Sequence, residues 1–362
     1  MINHVLVFED EEAKRIQLIK LLKQRLRGKA TIIPITGEGD QDRDRSYDTQ
    51  LEEEMRKHSP GRALVICDKE LGNLQPRFIG LSGTTVASVA DRLGLPLCLY
   101  ARGEGQQQGE AFLRSLAPWE KRRIIVEFDN ESKLAADCVH LFKGFAQIAA
   151  SYKKLTSKDR ATPARALSAI LGKPEIEDRV ALYGSGEQGL LEDIMPFVNM
   201  GRKQQTQAAL RGRMPRILGN WLRTSILRFP GILVSCDAAA SYLNISVKDF
   251  GRSQVQALFS RAKYKGPFAG MSAWWWRHEL DDIVAKAGED DGLALAKKRH
   301  ASSQPCVDEQ TGAPAGYYCM VTGKPVSKDN SKGGISWFPS GADLARIRLD
   351  TFNELAPWIG LY

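Results

Sequence analysis

Through the first 150 residues, short apolar runs alternate with stretches in which apolar residues return every three or four positions. The runs at 4–8 (HVLVF), 31–35 (TIIPI), 63–67 (ALVIC), 96–100 (PLCLY) and 124–126 (IIV) are continuous enough to predict buried strands. Residues 13–26, 85–93, 110–116 and 132–150 carry the helical period, the first through Ile16, Leu18, Ile19, Leu21, Leu22 and Leu26. Residues 37–60 are polar and charge-dense, which predicts a loop with a partly solvated helix. Apolar strands separated by helices predict an α/β fold over 1–150: a doubly wound, parallel five-stranded sheet in the order 2-1-3-4-5.

The pattern changes after residue 150. Pro163, Pro174, Gly184, Gly186, Gly189 and Pro196 punctuate 151–200, which reads as a linker or joint. A basic helix at 202–228 follows, broken by Pro215 and ended by the Phe-Pro-Gly at 229–231. Residues 232–286 look like one small unit, so 201–287 is taken as a mainly α domain. The charged stretch 288–305 reads as a second linker, leading into a small α+β accessory module within 288–362. Its aromatic core is expected from Tyr317, Tyr318, Trp337, Phe338 and Trp358.

Charge sharpens this division. The 362 residues carry a net +8, and the excess falls in 201–300, with 17 Lys and Arg against 8 Asp and Glu. Between Asp193 and Asp237 there is no acid, while Arg211, Arg213, Arg216 and Arg223 all lie there. Such a stretch suits phosphates or an acidic partner; a solvated basic helix is the other reading. No apolar run approaches the roughly 18 residues of a membrane helix, and the start is no signal peptide, so a cytoplasmic protein without a membrane partner is expected. The six cysteines form no C-x-x-C pair, so reduced, buried thiols are expected. His300, Cys306 and Cys319 lack zinc-knuckle spacing, and zinc is not expected.

Function in open α/β sheets sits at the carboxyl ends of the strands. Glu9 and Asp10 end the first strand and Asp68 the third, neighbours in the expected order. Three gathered carboxylates repel unless a hard cation or a shared proton relieves them, and Mg2+ is the natural candidate. The segments VLVFEDEEAKR, LVICDKELG and LPLCLYARGE resemble, in order and strand context, response-regulator receiver domains over about residues 3–148. The resemblance implies Glu9 and Asp10 as metal-site acids, Asp68 as phospho-acceptor and the Glu70 carbonyl as a further metal ligand. Two switch positions depart from that pattern. Tyr100 stands where a small hydroxyl residue is usual, and Glu127 where a lysine would neutralise a phosphoryl oxygen. A pseudo-receiver used for docking or dimerisation, a working phospho-switch and a flavodoxin-like fold with unrelated acids all remain open.

The second motif lies at 233–250 (LVSCDAAASYLNISVKDF). Asp237 is placed to cap a short helix at 238–243, Asn244 suits a left-handed turn, and Ser246 can cap the next helix, from Val247 to Leu258. This resembles the core of excisionase-like and MerR-like winged helix-turn-helix domains. The resemblance implies that Lys248, Arg252, Ser253 and Gln254 face a major groove, and that Lys263, Lys265 and Arg277 meet phosphates, with Arg211, Arg213, Arg216 and Arg223 extending that contact. Winged helices also bind proteins.

No catalytic constellation, metal-spaced histidine pair or phosphate loop appears, and an enzyme is not expected. Two readings follow. One is a response-regulator-like signalling or transcription-regulatory protein with a degenerate receiver and a DNA-binding winged helix. The other is a non-enzymatic adaptor in a signalling or phage-defence complex, binding a kinase, an effector or another protein partner through both domains.

Overall fold

The computed structural model describes residues 2–39, 42, 44–58, 63–74, 77–102, 123–184 and 204–359. They fall into two compact units, one drawn from the described residues of 2–102, 123–158 and 204–220, the other from those of 159–184 and 221–359.

The first unit is built on β1 (His4–Phe8), β2 (Thr31–Pro34), β3 (Ala63–Asp68), β6 (Leu97–Arg102) and β7 (Ile124–Phe128), with a hairpin of β4 (Asn73–Leu74) and β5 (Phe78–Ile79) after β3. The five long strands form one parallel sheet, ordered β2-β1-β3-β6-β7, which is the expected 2-1-3-4-5 order of sheet strands. Val5 to Phe8 and Ala63 to Cys67 are fully buried, as central strands covered on both faces must be. Helices α1 (Glu12–Leu26) and α4 (Glu131–Lys154) pack together, as do α2 (Tyr47–His58) and α3 (Gly83–Leu93). Ser82 and Asn130 cap α3 and α4, accepting from the amides of Thr85 and Lys133 at 3.2 and 2.9 Å. The hairpin is an addition to the expected elements. It approaches Gly37, at φ +71, so closely that a Cβ there would stand 2.4 Å from the Leu74 carbonyl oxygen. The helix expected at 110–116 lies outside the described residues.

Pro215 does not break its helix, which runs over Gln204–Trp221 and continues as a π-helical turn through Ile226. A proline inside a helix costs about 3 kcal/mol, and here burial opposes that cost. Ile217, Leu218, Trp221 and Leu222 are all nearly sealed from water.

In the second unit, the described part of the expected joint is helical, at Pro163–Ile170 and Glu177–Ala181, and ends in the fully buried Tyr183. The Tyr183 hydroxyl donates to the Phe229 carbonyl at 3.1 Å and accepts from the Ile232 amide at 3.2 Å, so this segment is folded rather than a free tether. Strands β8 (Leu233–Ser235) and β9 (Trp274–Trp276) pair antiparallel around three short helices, Cys236–Tyr242, Val247–Phe250 and Ser253–Leu258. Ser235 rather than Asp237 caps the first, accepting from the Ala238 amide at 3.5 Å, because the helix begins two residues earlier than the alanine run suggests. The expected single helix from 247 to 258 is interrupted at Gly251 and Arg252. Asn244 does adopt the left-handed conformation, with φ 57, and Ser246 does cap, accepting from the Asp249 amide at 3.2 Å. The stretch expected to be a second linker holds the helix Gly292–Arg299, capped by Asp291, with Leu293 and Ala296 in the same core as Phe250, Phe259 and Trp275. A four-stranded sheet follows, ordered Pro325–Val326, Tyr317–Cys319, Ala345–Arg348, Ser331–Lys332, and then the helix Leu349–Ile359.

Candidate functional site

The parallel register places Phe8 beside Cys67, so the residues that follow, Glu9 and Asp10 on one strand and Asp68 on the next, meet at the carboxyl edge of the sheet. One ligand oxygen from each of Glu9, Asp10 and Asp68 lies within 4.8 Å of the others. Among the described residues this is the one place where three potential His, Cys, Asp or Glu ligands converge.

The three carboxylates are held differently. Glu9 is 1 % exposed. It accepts from the Tyr100 hydroxyl at 2.7 Å and from the Glu11 amide at 3.0 Å. Asp10 accepts from the Gly72 amide at 3.1 Å, and Asp68 from the Glu70 amide at 2.8 Å. A Cβ on Gly72 would stand 3.4 Å from the Asp10 carboxylate and 3.9 Å from the Glu70 carbonyl oxygen, so both oxygens border that residue. Burial pushes the Glu9 carboxyl above its ordinary range, with Asp68 adding to the shift and the Tyr100 and Glu11 donors opposing it. Asp68 also rises, first through burial and then through Asp10. The arrangement stores like-charge repulsion beside hard oxygen ligands, which fits a divalent cation such as Mg2+.

Tyr100 is the residue whose role the linear pattern did not convey. Its side chain is fully buried, its ring meets Phe128 edge-on at 5.8 Å, and burial together with Glu9 raises its hydroxyl pKa far above the ordinary value. Its hydroxyl is the hydrogen-bond donor to Glu9. Glu127 is exposed on β7, in register with Ala101. Lys14 was not singled out in the sequence. It pairs with Glu11, and its charge partly opposes the rise at both Glu9 and Asp68. Its place three residues after Glu11, in the first turn of α1, was the available signal.

The basic residues separate into two groups. Lys248, Ser253, Gln254, Lys263 and Lys265 are exposed, Lys263 lying 5.9 Å from the centre of the Trp275 ring. Arg252 is half-buried and faces Asp249 at 3.2 Å. Three arginines expected at phosphates have internal partners instead. Arg216 is 8 % exposed and pairs with Asp91 at 2.8 Å. Arg213 donates to the Arg92 carbonyl at 2.5 Å, and burial followed by the Arg216 charge lowers its pKa. Arg277 pairs with Asp343 at 2.5 Å and lies over the Tyr242 ring. These three long side chains gain fixed hydrogen-bond partners by folding inward, which the linear charge count cannot register. Arg223 is half-buried, and the side chain of Arg211 lies outside the described residues.

Asp249, the one acid between Asp237 and Glu279, turns inward. Its carboxylate accepts from the Ser246 hydroxyl and the Gln304 amide, both at 2.8 Å. Burial raises its pKa, but those donors and Arg252 outweigh burial and leave it below the ordinary range. Its charge is consumed inside the unit.

No protein-family model, curated protein or solved structure matches the chain. Among the described residues no helix is long and apolar enough to cross a membrane.

Proposed function

We propose that this chain is a regulatory protein with a receiver-like α/β unit, used for docking or dimerisation, and a winged helix-turn-helix that binds duplex DNA. The carrying observation is the sorting of charge in the second unit: Lys248, Ser253, Gln254, Lys263 and Lys265 are exposed, while the intervening Asp249 is buried and paired. The order of a strand, three short helices and a strand from Leu233 to Trp276, with the turn at Asn244 after the first helix, supports the same reading. In the α/β unit, Glu9, Asp10 and Asp68 would hold Mg2+, with the Glu70 carbonyl as a further ligand, and Asp68 is the residue that would accept a phosphoryl group. Tyr100 and Glu127 at the switch positions favour docking over switching, since an added phosphoryl dianion would meet carboxylates rather than a neutralising lysine.

The test is a fluorescence-anisotropy titration of the full chain with duplex DNA across a salt series. Binding that weakens steeply with salt is expected, with Lys248→Glu plus Lys265→Glu costing about tenfold in affinity. No binding at low salt, or binding indifferent to salt, overturns the DNA reading.

A second reading has its own support. Arg213, Arg216 and Arg277 are engaged within the chain, which removes three cations from any phosphate footprint and favours an adaptor that binds protein through both units. Copurification of a stoichiometric protein partner without nucleic acid selects it.

A further inference from the structure

An open cleft of ≈ 610 Å³ lies between the last turn of α1 and the middle of α4. Arg25, Arg27, His140 and Lys143 line it, Ala136 and Val139 give it an apolar patch, and among the described residues no carboxylate is in its walls. Arg25 also donates to the Ser132 hydroxyl at 2.8 Å, which ties its guanidinium to α4 across the cleft.

The bland account of these cations is the helix dipole, which favours basic side chains in a last turn. It covers Arg25 and Arg27, at the end of Glu12–Leu26. It does not cover His140 and Lys143, which sit in the interior of Glu131–Lys154, where no helix end asks for positive charge. The like charges are close enough to act on one another. The His140 pKa lies below its ordinary value through burial first and then Lys143, with Arg25 contributing and Asp137, on the same helix, opposing. A dense anion in the cleft would relieve that repulsion.

We propose that this cleft binds a small molecule carrying a di- or triphosphate group, a site separate from the carboxylate pocket and independent of the DNA reading. Two guanidiniums and an ammonium match the three to four negative charges of such a group, and arginine grips phosphate oxygens in pairs. The volume falls within the range of small-ligand pockets, roughly 300–1,000 Å³, and is too small to seat a folded partner. Ala136 and Val139 offer contact to an organic portion of the ligand.

The experiment uses the full chain without divalent metal and two probes in parallel, inorganic triphosphate and a nucleoside triphosphate. Affinity is read by calorimetry, and the His140 titration by NMR. Binding is expected to fall at least about tenfold in Arg25→Gln and in Lys143→Gln, to persist in Asp68→Asn, and to raise the His140 pKa. Tighter binding of the nucleoside form identifies the apolar patch as part of the site; equal binding identifies the phosphates as the whole determinant. Affinity unchanged by both cleft substitutions, a His140 that does not move, or an oligoglutamate peptide that outcompetes triphosphate overturns the proposal.

Discussion

Asp249 in the second unit and Glu9 in the first are both nearly sealed from water, at 3 % and 1 % exposure, yet their surroundings answer burial differently. Asp249 meets a hydroxyl, a main-chain amide and a guanidinium, and its pKa lies below the ordinary value. Glu9 meets a phenol and an amide, with Asp68 adding negative charge nearby, and its pKa lies above. A buried carboxylate whose donors outweigh its desolvation is a structural tie. One whose desolvation wins, next to other carboxylates, is an unrelieved charge that a cation or proton can relieve. The contrast separates an acid that holds the fold from acids that mark a candidate site.

The largest effect should come from breaking the tie. Asp249→Ala leaves the Ser246 hydroxyl and the Gln304 amide without their acceptor and removes the partner of Arg252. Losses of this kind cost about 3 kcal/mol. Urea denaturation at neutral pH is the measurement, and a loss under about 1 kcal/mol would show that Asp249 is not the tie described. The signs of the pH dependence are opposite in the two regions. Because its folded pKa is depressed, Asp249 contributes stability above its ordinary 3.8, lost as pH falls through the depressed value. Glu9 and Asp68 have raised folded pKa values, so their contribution is full below the ordinary 4.5 and 3.8 and is lost as pH rises through the raised ones.

A smaller effect is expected where the site touches the core. Tyr100→Phe removes the 2.7 Å donor to Glu9 and keeps the ring against Phe128. The cost should be about 2 kcal/mol at neutral pH, when Glu9 is charged, since the lost bond is to an ionised group. It should shrink as pH falls and Glu9 takes up a proton. Melting temperatures of both proteins across acidic and neutral pH give this directly, and a pH-independent difference would assign Tyr100 to packing alone.

What could be read along the chain followed from local pattern. The five sheet strands were legible because runs such as 63–67 admit no polar residue, and Glu9, Asp10 and Asp68 because they stand where such runs stop. The turn at Asn244 and the cap at Ser246 were legible for the same reason. What stayed hidden depends on partners far away in sequence. The Tyr100 to Glu9 bond spans 91 positions, and the Arg216 to Asp91 pair spans 125. Arg216 looked like part of a phosphate footprint because its neighbours along the chain are basic, whereas its partner in space is an acid. The helix Gly292–Arg299 escaped because Lys297, Lys298 and Arg299 dominate its last turn, while Gly292, Leu293 and Ala296 are buried and Leu295 packs beside them. Its N-cap, Asp291, was the signal that could have found it.

The finest test of the contrast reverses the usual sign of a site mutation. Asp68→Asn removes one charge from the carboxylate group and keeps an oxygen that can accept from the Glu70 amide. At neutral pH it should therefore stabilise the chain, by on the order of 1 kcal/mol, through relief of repulsion. Mg2+ should do the same to the unmodified protein, since a cation that binds only the folded state at ten times its Kd adds about 1.4 kcal/mol. The two gains should not add, because each relieves the same charge. Thermal melts of both proteins with and without Mg2+ measure all four states. Additive gains would mean that the ion binds elsewhere, and a destabilised Asp68→Asn would place Asp68 with Asp249, among the acids that hold the fold.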